Sequence, residues 1–258
     1  MAKFSLCIEP VLTHIDFYDR IKVAAELGLD AIEFWDPVGK DIAKISRLAS
    51  ENKIAVAICC VQGAWTNRMN FPAPLVVKNV AESTRLAKEM GCNSLIALSG
   101  DIEGRSDTQK NILIENLKRI ADILVQENIT LNLEALNSLV DHKGYYLDSS
   151  YVGFEIIKSV GCDNIKLLYD VYHMQIMEGN IMENVKRNID FIGHFHSAGV
   201  PGRHEHFNGE SDYKNILRTI DDSGYDRFFG LEYWPAYDHR KSITNVLKYL
   251  KEGYVCQE

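Results

Sequence analysis

Long uninterrupted apolar runs are missing from this chain of 258 residues. A membrane-spanning helix needs about 18 consecutive apolar residues or more, and no window approaches that length. The first residues, MAKFSLCIEPVLTH, also lack the apolar stretch and small-residue cleavage site of a signal peptide. We therefore expect a cytoplasmic protein that makes no contact with a membrane.

Paired cysteines and runs of like charge are missing as well. The six cysteines form no CxxC pair, and four lie within or beside apolar runs: Cys7, Cys59, Cys60 and Cys92. This pattern predicts reduced, mostly buried thiols rather than disulfides or a zinc site. The net charge of −8 makes the phosphate backbone of nucleic acid and anionic lipid poor partners. A small-molecule substrate is the partner we expect.

What the chain does contain is a series of eight short apolar runs. Each has the length of a strand and is nearly continuous in apolar or β-prone residues, as in strands covered on both faces. The runs span 3–10, 31–37, 54–62, 93–100, 129–137, 165–173, 190–199 and 227–235. Apolar residues at helical spacing lie between them, for example in 16–28, 75–91 and 109–128, and the first two of these helices end at Gly28 and Gly91.

Eight strand–helix units in a chain of this length predict an α/β protein with a (β/α)8 TIM barrel. An open doubly wound sheet is the alternative. The chain has neither the GxGxxG nor the Walker A pattern that would support nucleotide binding in such a sheet. Since it also has no Pro/Gly/Ser-rich linker, we expect residues 1–258 to form a single barrel domain.

Metal-type side chains stand at the ends of four consecutive predicted strands. They are Glu134 in LNLEALN, Asp170 in LLYDVYH, His196 in GHFHSAG and Glu232 in GLEYWP. Active sites of these barrels lie at the carboxyl ends of the strands, so the four groups should converge. Carboxylate and imidazole ligands suit a divalent ion such as Mn²⁺, Mg²⁺ or Co²⁺. Each residue alone could instead be a helix N-cap or half of an ion pair.

The seventh predicted strand and the loop after it carry further polar residues. His194 and His196 alternate along the strand, and we assign the metal to His196 because it lies nearer the carboxyl end; His194 is expected to be a hydrogen-bonded core histidine. In the loop, Arg203 can bind a substrate oxygen or carboxylate, and Glu205 can pair with it. His204 and His206 are expected at the surface.

The exposed aromatics of segment 63–72 could form a subunit contact in a homo-oligomer, a rim over the site or simple loop packing.

The segments DVYHMQIMEG, VPGRHE and GLEY resemble the hydroxypyruvate isomerase family, which lies within the xylose-isomerase-like (β/α)8 barrels. The resemblance covers the second half of the chain well and the first half in general pattern. It implies that Glu134, Asp170, His196 and Glu232 bind the metal, and that the two glutamates also act as acid and base. It implies that His173 and Arg203 hold substrate oxygens. The expected activity is a divalent-metal-dependent isomerisation of a sugar or keto acid through an enediolate.

The chain departs from that family's pattern in three places, one of which is the segment GRHEHFNGE, where the family has GRHEPGTGE. Hydroxypyruvate isomerases usually carry glutamine where this chain has His196, whereas ketose epimerases carry histidine. The lysine of the family's EYKP segment is Trp234 here. An aromatic plane beside the metal suits a sugar ring or a larger, less charged substrate than hydroxypyruvate.

Several other functions stay open beside the isomerase. A ketose 3-epimerase or a metal-dependent dehydratase of the same superfamily would use the same ligands. A non-catalytic barrel subunit belongs to a different class, and the glutamate pair speaks against it. A nuclease like endonuclease IV would need histidine ligands in the first half of the barrel, but no histidine lies between His14 and His142.

Overall fold

Eight parallel strands close into a barrel in the computed structural model, which describes residues 2–66, 68–101 and 107–252. Each strand is hydrogen-bonded to its neighbours in chain order, and β8 pairs with β1. The (β/α)8 prediction is therefore confirmed and the open sheet was wrong. The strands are β1 Lys3–Cys7, β2 Ala31–Phe34, β3 Ala55–Cys60, β4 Ser94–Leu98, β5 Thr130–Glu134, β6 Ile165–Asp170, β7 Ile192–Ser197 and β8 Phe228–Leu231.

Helices connect the strands on the outside of the barrel. They are α1 Asp19–Glu26, α2 Ile42–Glu51, α3 Ala73–Glu89, α4 Asp107–Glu127, α5 Ser150–Val160, α6 Val171–Met177, α7 Ile181–Asn188, α8 Tyr213–Asp222 and α9 His239–Glu252. Two helices, α6 and α7, follow β6 where the alternation predicted one. Gly28 and Gly91 follow α1 and α3 with φ of +83° and +67°, as predicted for glycines at helix C-termini.

Several strands are shorter than the apolar runs that predicted them. The run 165–173 ends as a strand at Asp170, because its Oδ1 accepts hydrogen bonds from the backbone N–H groups of Tyr172 and His173 and begins α6. The run 190–199 loses its first two residues to a short 3₁₀ turn over Ile189–Phe191. Capping and turn geometry therefore override strand propensity at these ends.

The core fills both the barrel interior and the layer between strands and helices. In that outer layer α5 approaches β6 closely: a Cβ on Gly153 would lie 2.6 Å from Cδ1 of Leu167. Cys7, Cys59, Cys60 and Cys92 are buried free thiols, as predicted, and Cys162 is half-buried; Cys256 lies outside the described residues. None of the helices within the described ranges is long and apolar enough to span a bilayer.

Strand register places the predicted site residues beside one another. Asp170 at the end of β6 is the partner of His196 on β7, and His196 is in turn the partner of Gly230 on β8. Glu134 closes β5 and is paired with Leu168 of β6. Because all strands are parallel, these positions share the carboxyl-end rim of half the barrel.

Candidate active site

The four predicted ligands meet at the carboxyl-end rim. Glu134, Asp170, His196 and Glu232 each offer one ligand atom, and these atoms lie within 4.8 Å of one another. Nδ1 of His196 is 3.3 Å from Oε1 of Glu134 and 3.4 Å from Oε2 of Glu232. All four residues are buried. Three carboxylates this close, out of contact with bulk water, repel one another unless a cation lies between them.

The pKa shifts of two residues in the cluster also favour a bound cation. Burial raises the pKa of Asp170 to about 7, although Arg203 and His196 oppose the increase. Burial would lower the pKa of His196, but the carboxylates of Glu232 and Glu33 outweigh it and raise that pKa well above its ordinary value. A divalent ion would take over the compensating role of these protons, so the donor set fits a hard metal ion.

Arg203 is the cation that the protein itself supplies. Its Nη2 donates to Oε2 of Glu232 and lies 3.7 Å from Oδ2 of Asp170. The guanidinium carbon lies 5.1 Å from the ring centre of Tyr172 and 4.8 Å from that of Trp234. Burial would lower the pKa of Arg203, but Glu232 and Asp170 raise it. Its backbone is in the left-handed region, with φ of +58°, a strained conformation that persists only where surrounding contacts hold it.

Two expectations for the loop after β7 were wrong. Glu205 does not pair with Arg203; its Oε1 accepts from the backbone N–H of Ala236 at 3.0 Å and from Oγ of Ser242 at 2.7 Å. His206 is buried rather than at the surface, because its Nε2 bonds Oγ of Ser197 on β7. The loop folds inward here, and sequence polarity alone does not reveal this. His204 is exposed, as expected.

His173 lies on the first turn of α6 and is fully buried beside the cluster. Its Nδ1 is 2.6 Å from Nδ2 of Asn137. Its Nε2 has no hydrogen-bond partner in the part of the chain that the structure describes, and it lies 3.4 Å from Oδ2 of Asp170. Burial, followed by the positive charge of Arg203, lowers the pKa of His173 well below its ordinary value. The ring is therefore neutral and has one unused nitrogen in the site.

Sequence reasoning missed Glu33 on β2. This carboxylate is 1% exposed and bonds both histidines of β7: Oε1 is 3.0 Å from Nε2 of His194, and Oε2 is 2.8 Å from Nε2 of His196. His194 is thus the hydrogen-bonded core histidine that was expected. The signal was present, since Glu33 interrupts the apolar run AIEFW with its only charged residue.

A cavity of about 230 Å³ lies at the cluster. Its polar lining consists of Glu134, Glu232, His142, His173, His196 and Arg203. Its apolar lining includes a wall formed by all three tryptophans of the chain, Trp35, Trp65 and Trp234. The ring centres of Trp65 and Trp234 lie 6.0 and 6.3 Å from that of Trp35. Trp35 also donates from Nε1 to Oε1 of Glu232 at 2.6 Å.

Comparison with known proteins bears on what such a cavity does. The family model described as "Xylose isomerase-like TIM barrel" matches residues 21–253. The hydroxypyruvate isomerase of Escherichia coli K12 is 31% identical, over 91% of this chain and 94% of its own length. The 2-oxo-tetronate isomerase of Cupriavidus necator is 30% identical over the same shares. Among solved structures, the AP endonuclease, family 2, of Brucella melitensis is 26% identical, with a TM-score of 0.90, covering 96% of this chain and 99% of that one.

Proposed function

Because the chain belongs to the xylose isomerase-like TIM barrel family, we propose that it is a divalent-metal-dependent isomerase of a ketose, aldose or hydroxy-keto acid. That it is an isomerase rests on relatives with that activity in their names, which align over nine tenths of the chain. One observation above all supports the metal-dependent mechanism: four buried residues at the carboxyl ends of four consecutive strands offer ligand atoms within 4.8 Å of one another.

Glu134, Asp170, His196 and Glu232 would hold the ion. Oxygen donors with a single imidazole suit Mn²⁺, Mg²⁺ or Co²⁺. When bound, the ion would stabilise the negative charge that develops on the substrate oxygen as the neighbouring carbon loses a proton. Asp170 also has a structural role, because its Oδ1 caps the N-terminus of α6 while its Oδ2 faces the cluster.

Glu134 and Glu232 are the proposed acid–base pair. They stand on β5 and just after β8, and both approach Nδ1 of His196, at 3.3 and 3.4 Å. One carboxylate takes the proton from the carbon beside the carbonyl, and the second group returns it. Return to the adjacent carbon gives isomerisation, and return to the opposite face of the same carbon gives epimerisation. Hydrogen bonds from Trp35 and Arg203 fix both oxygens of Glu232.

His173 and Arg203 are the proposed substrate-oxygen ligands. Nε2 of His173, which has no hydrogen-bond partner among the described residues, lies 3.4 Å from Oδ2 of Asp170, and Arg203 shares its charge between Glu232 and Asp170. Both residues line the cavity, and both can donate to a neutral hydroxyl or carbonyl oxygen. A substrate would therefore be oriented by groups set in advance of binding.

Ketose 3-epimerisation is the second candidate, and the tryptophan wall favours it. The relatives in the comparison act, by their names, on small keto acids. Here Trp35, Trp65 and Trp234 line the same cavity as Glu134, His196 and Glu232. Aromatic faces pack well against the C–H face of an uncharged sugar. A nuclease is not proposed, despite the name of the Brucella structure, because the net charge of −8 opposes binding to nucleic acid.

Proton exchange tests the proposal directly. Protein stripped of metal and reloaded with Mn²⁺ would be incubated in D₂O with hydroxypyruvate and a panel of ketoses, and followed by NMR. We expect metal-dependent entry of deuterium beside a carbonyl in one substrate class, and the product identifies isomerase or epimerase. A product lacking one water would replace the proposal with the dehydratase. Absence of both exchange and metal binding would favour the non-catalytic barrel.

A further inference from the structure

Glu33 is a third buried glutamate, and it lies behind the metal cluster rather than in it. It belongs to β2, on the far side of His196 from Glu134 and Glu232. Each of its two carboxylate oxygens is hydrogen-bonded to a different histidine: Oε2 to Nε2 of His196 at 2.8 Å, and Oε1 to Nε2 of His194 at 3.0 Å. Glu33 is not one of the four proposed metal ligands, so its position beside His196 requires a separate explanation.

The two nitrogens of His196 face different partners. Nδ1 faces the cluster, 3.3 Å from Glu134 and 3.4 Å from Glu232, whereas Nε2 faces Glu33. An imidazole binds a metal through its unprotonated nitrogen and donates from the other. A carboxylate at Nε2 can only accept, so it fixes the proton there and leaves the lone pair of Nδ1 for the ion.

The surrounding residues hold Glu33 in this position. Oγ of Ser5, on β1, donates to Oε1 of Glu33, so both carboxylate oxygens are hydrogen-bonded. Gly230 on β8 leaves the necessary space. A Cβ there would lie 2.6 Å from Oε1 of Glu33 and 2.7 Å from Cδ2 of His196. Ser5 on β1 and Gly230 on β8 therefore both support the position of Glu33 beside His196.

We propose that Glu33 is a positioning residue of the metal site, which orients His196 with Nδ1 toward the ion and strengthens it as a ligand. The inference rests on the proposed metal-dependent function and adds to it a residue that touches neither ion nor substrate. Loss of a carboxylate behind a metal-binding histidine typically weakens metal affinity by about 10- to 100-fold.

Mn²⁺ affinity, measured by the EPR signal of the free ion, separates this role from a structural one. Glu33→Gln keeps the shape of the side chain and removes its charge, and we expect a Kd for Mn²⁺ about 10- to 100-fold higher than in the wild type. The matched control is His194→Gln. It alters the other imidazole bonded to Glu33 and leaves the contact with His196, so its Kd should stay within about threefold of the wild type.

A measurement on the unaltered chain covers the case in which Glu33→Gln does not fold. NMR of protein labelled with ¹⁵N-histidine and loaded with diamagnetic Zn²⁺ identifies which nitrogen of His196 is ligated, with His196→Asn supplying the assignment. We expect ligation through Nδ1 and a proton on Nε2. Ligation through Nε2, or an unchanged Mn²⁺ affinity in a folded Glu33→Gln variant, overturns the inference alone. Failure of the wild type to bind any divalent ion overturns the proposed function with it.

Discussion

Nδ2 of Asn137 donates to Nδ1 of His173 over 2.6 Å. The amide cannot be turned round, because its Oδ1 accepts the backbone N–H groups of Val140 and Asp141 at 3.0 and 2.8 Å. The neutral ring of His173 must then carry its proton on Nε2, which has no hydrogen-bond partner within the described ranges. A loop amide thus makes His173 a donor beside the proposed metal ligands.

Removing that donor should weaken transition-state binding. For His173→Ala we expect kcat/KM to fall about ten- to a hundredfold, because a lost hydrogen bond in a buried site costs about 1–3 kcal/mol. His173→Gln retains an N–H donor and should recover part of the loss. Steady-state kinetics on the substrate found by deuterium exchange measures both. Full activity in His173→Ala would remove the residue from the substrate site.

The proposed acid–base pair makes a second prediction. Glu134→Gln and Glu232→Gln each keep an oxygen ligand but cannot take a proton, so turnover should fall by about 10²- to 10⁴-fold. Circular dichroism and the unfolding temperature check that each variant is folded. Near-native turnover in either purified variant would contradict the role of that glutamate.

Substrate preference should respond to Trp234, which is 40% exposed at the mouth of the cavity. In Trp234→Lys the new ammonium can pair with a substrate carboxylate. We expect kcat/KM for a keto acid to rise relative to that for an uncharged ketose by about fivefold, since a partly exposed ion pair contributes about 1 kcal/mol or less. Trp234→Phe keeps an aromatic face and is the control. Equal preference in all three proteins would show that this wall does not select substrates.

The pKa of Asp170 predicts how the stability of metal-free protein depends on pH. The ordinary value is 3.8 and the folded value about 7, so between these pH values the folded state holds a proton that the unfolded state has released. Rising pH therefore lowers the free energy of unfolding across this window, by about 4 kcal/mol at most, since a tenfold change in a protonation constant is about 1.4 kcal/mol.

Urea unfolding of wild type and Asp170→Asn at pH 4.5 and pH 8, both stripped of metal, isolates this contribution. The asparagine can still cap α6 through its side-chain oxygen but has no proton to lose. The wild type should lose more stability than Asp170→Asn as the pH rises. Added Mn²⁺ should stabilise the wild type more at pH 8 than at pH 4.5, because the ion competes with the proton for Asp170. A parallel pH dependence in the two proteins would place the titration elsewhere.

Part of this site could be predicted because its charged residues stand next to apolar runs in the sequence. Asp170 and Glu134 are carboxylates at the ends of apolar runs, and parallel strands bring such ends to one rim. The same reasoning applied to Glu33 would have identified a buried carboxylate, but not its partners. Glu33 and His196 are separated by 163 positions in the chain, and only barrel closure brings them together.

Three features follow from local sequence alone: the eightfold alternation, the polar residues at strand ends and the buried thiols, because hydrophobic period and residue chemistry are local properties. The folded barrel sets which nitrogen of His196 faces the cluster and which nitrogen of His173 accepts from Asn137. It also decided that Glu205 and His206 turn inward, and that three tryptophans share one wall. These outcomes depend on hydrogen bonds and packing between distant segments, and their geometry is fixed only when the barrel closes.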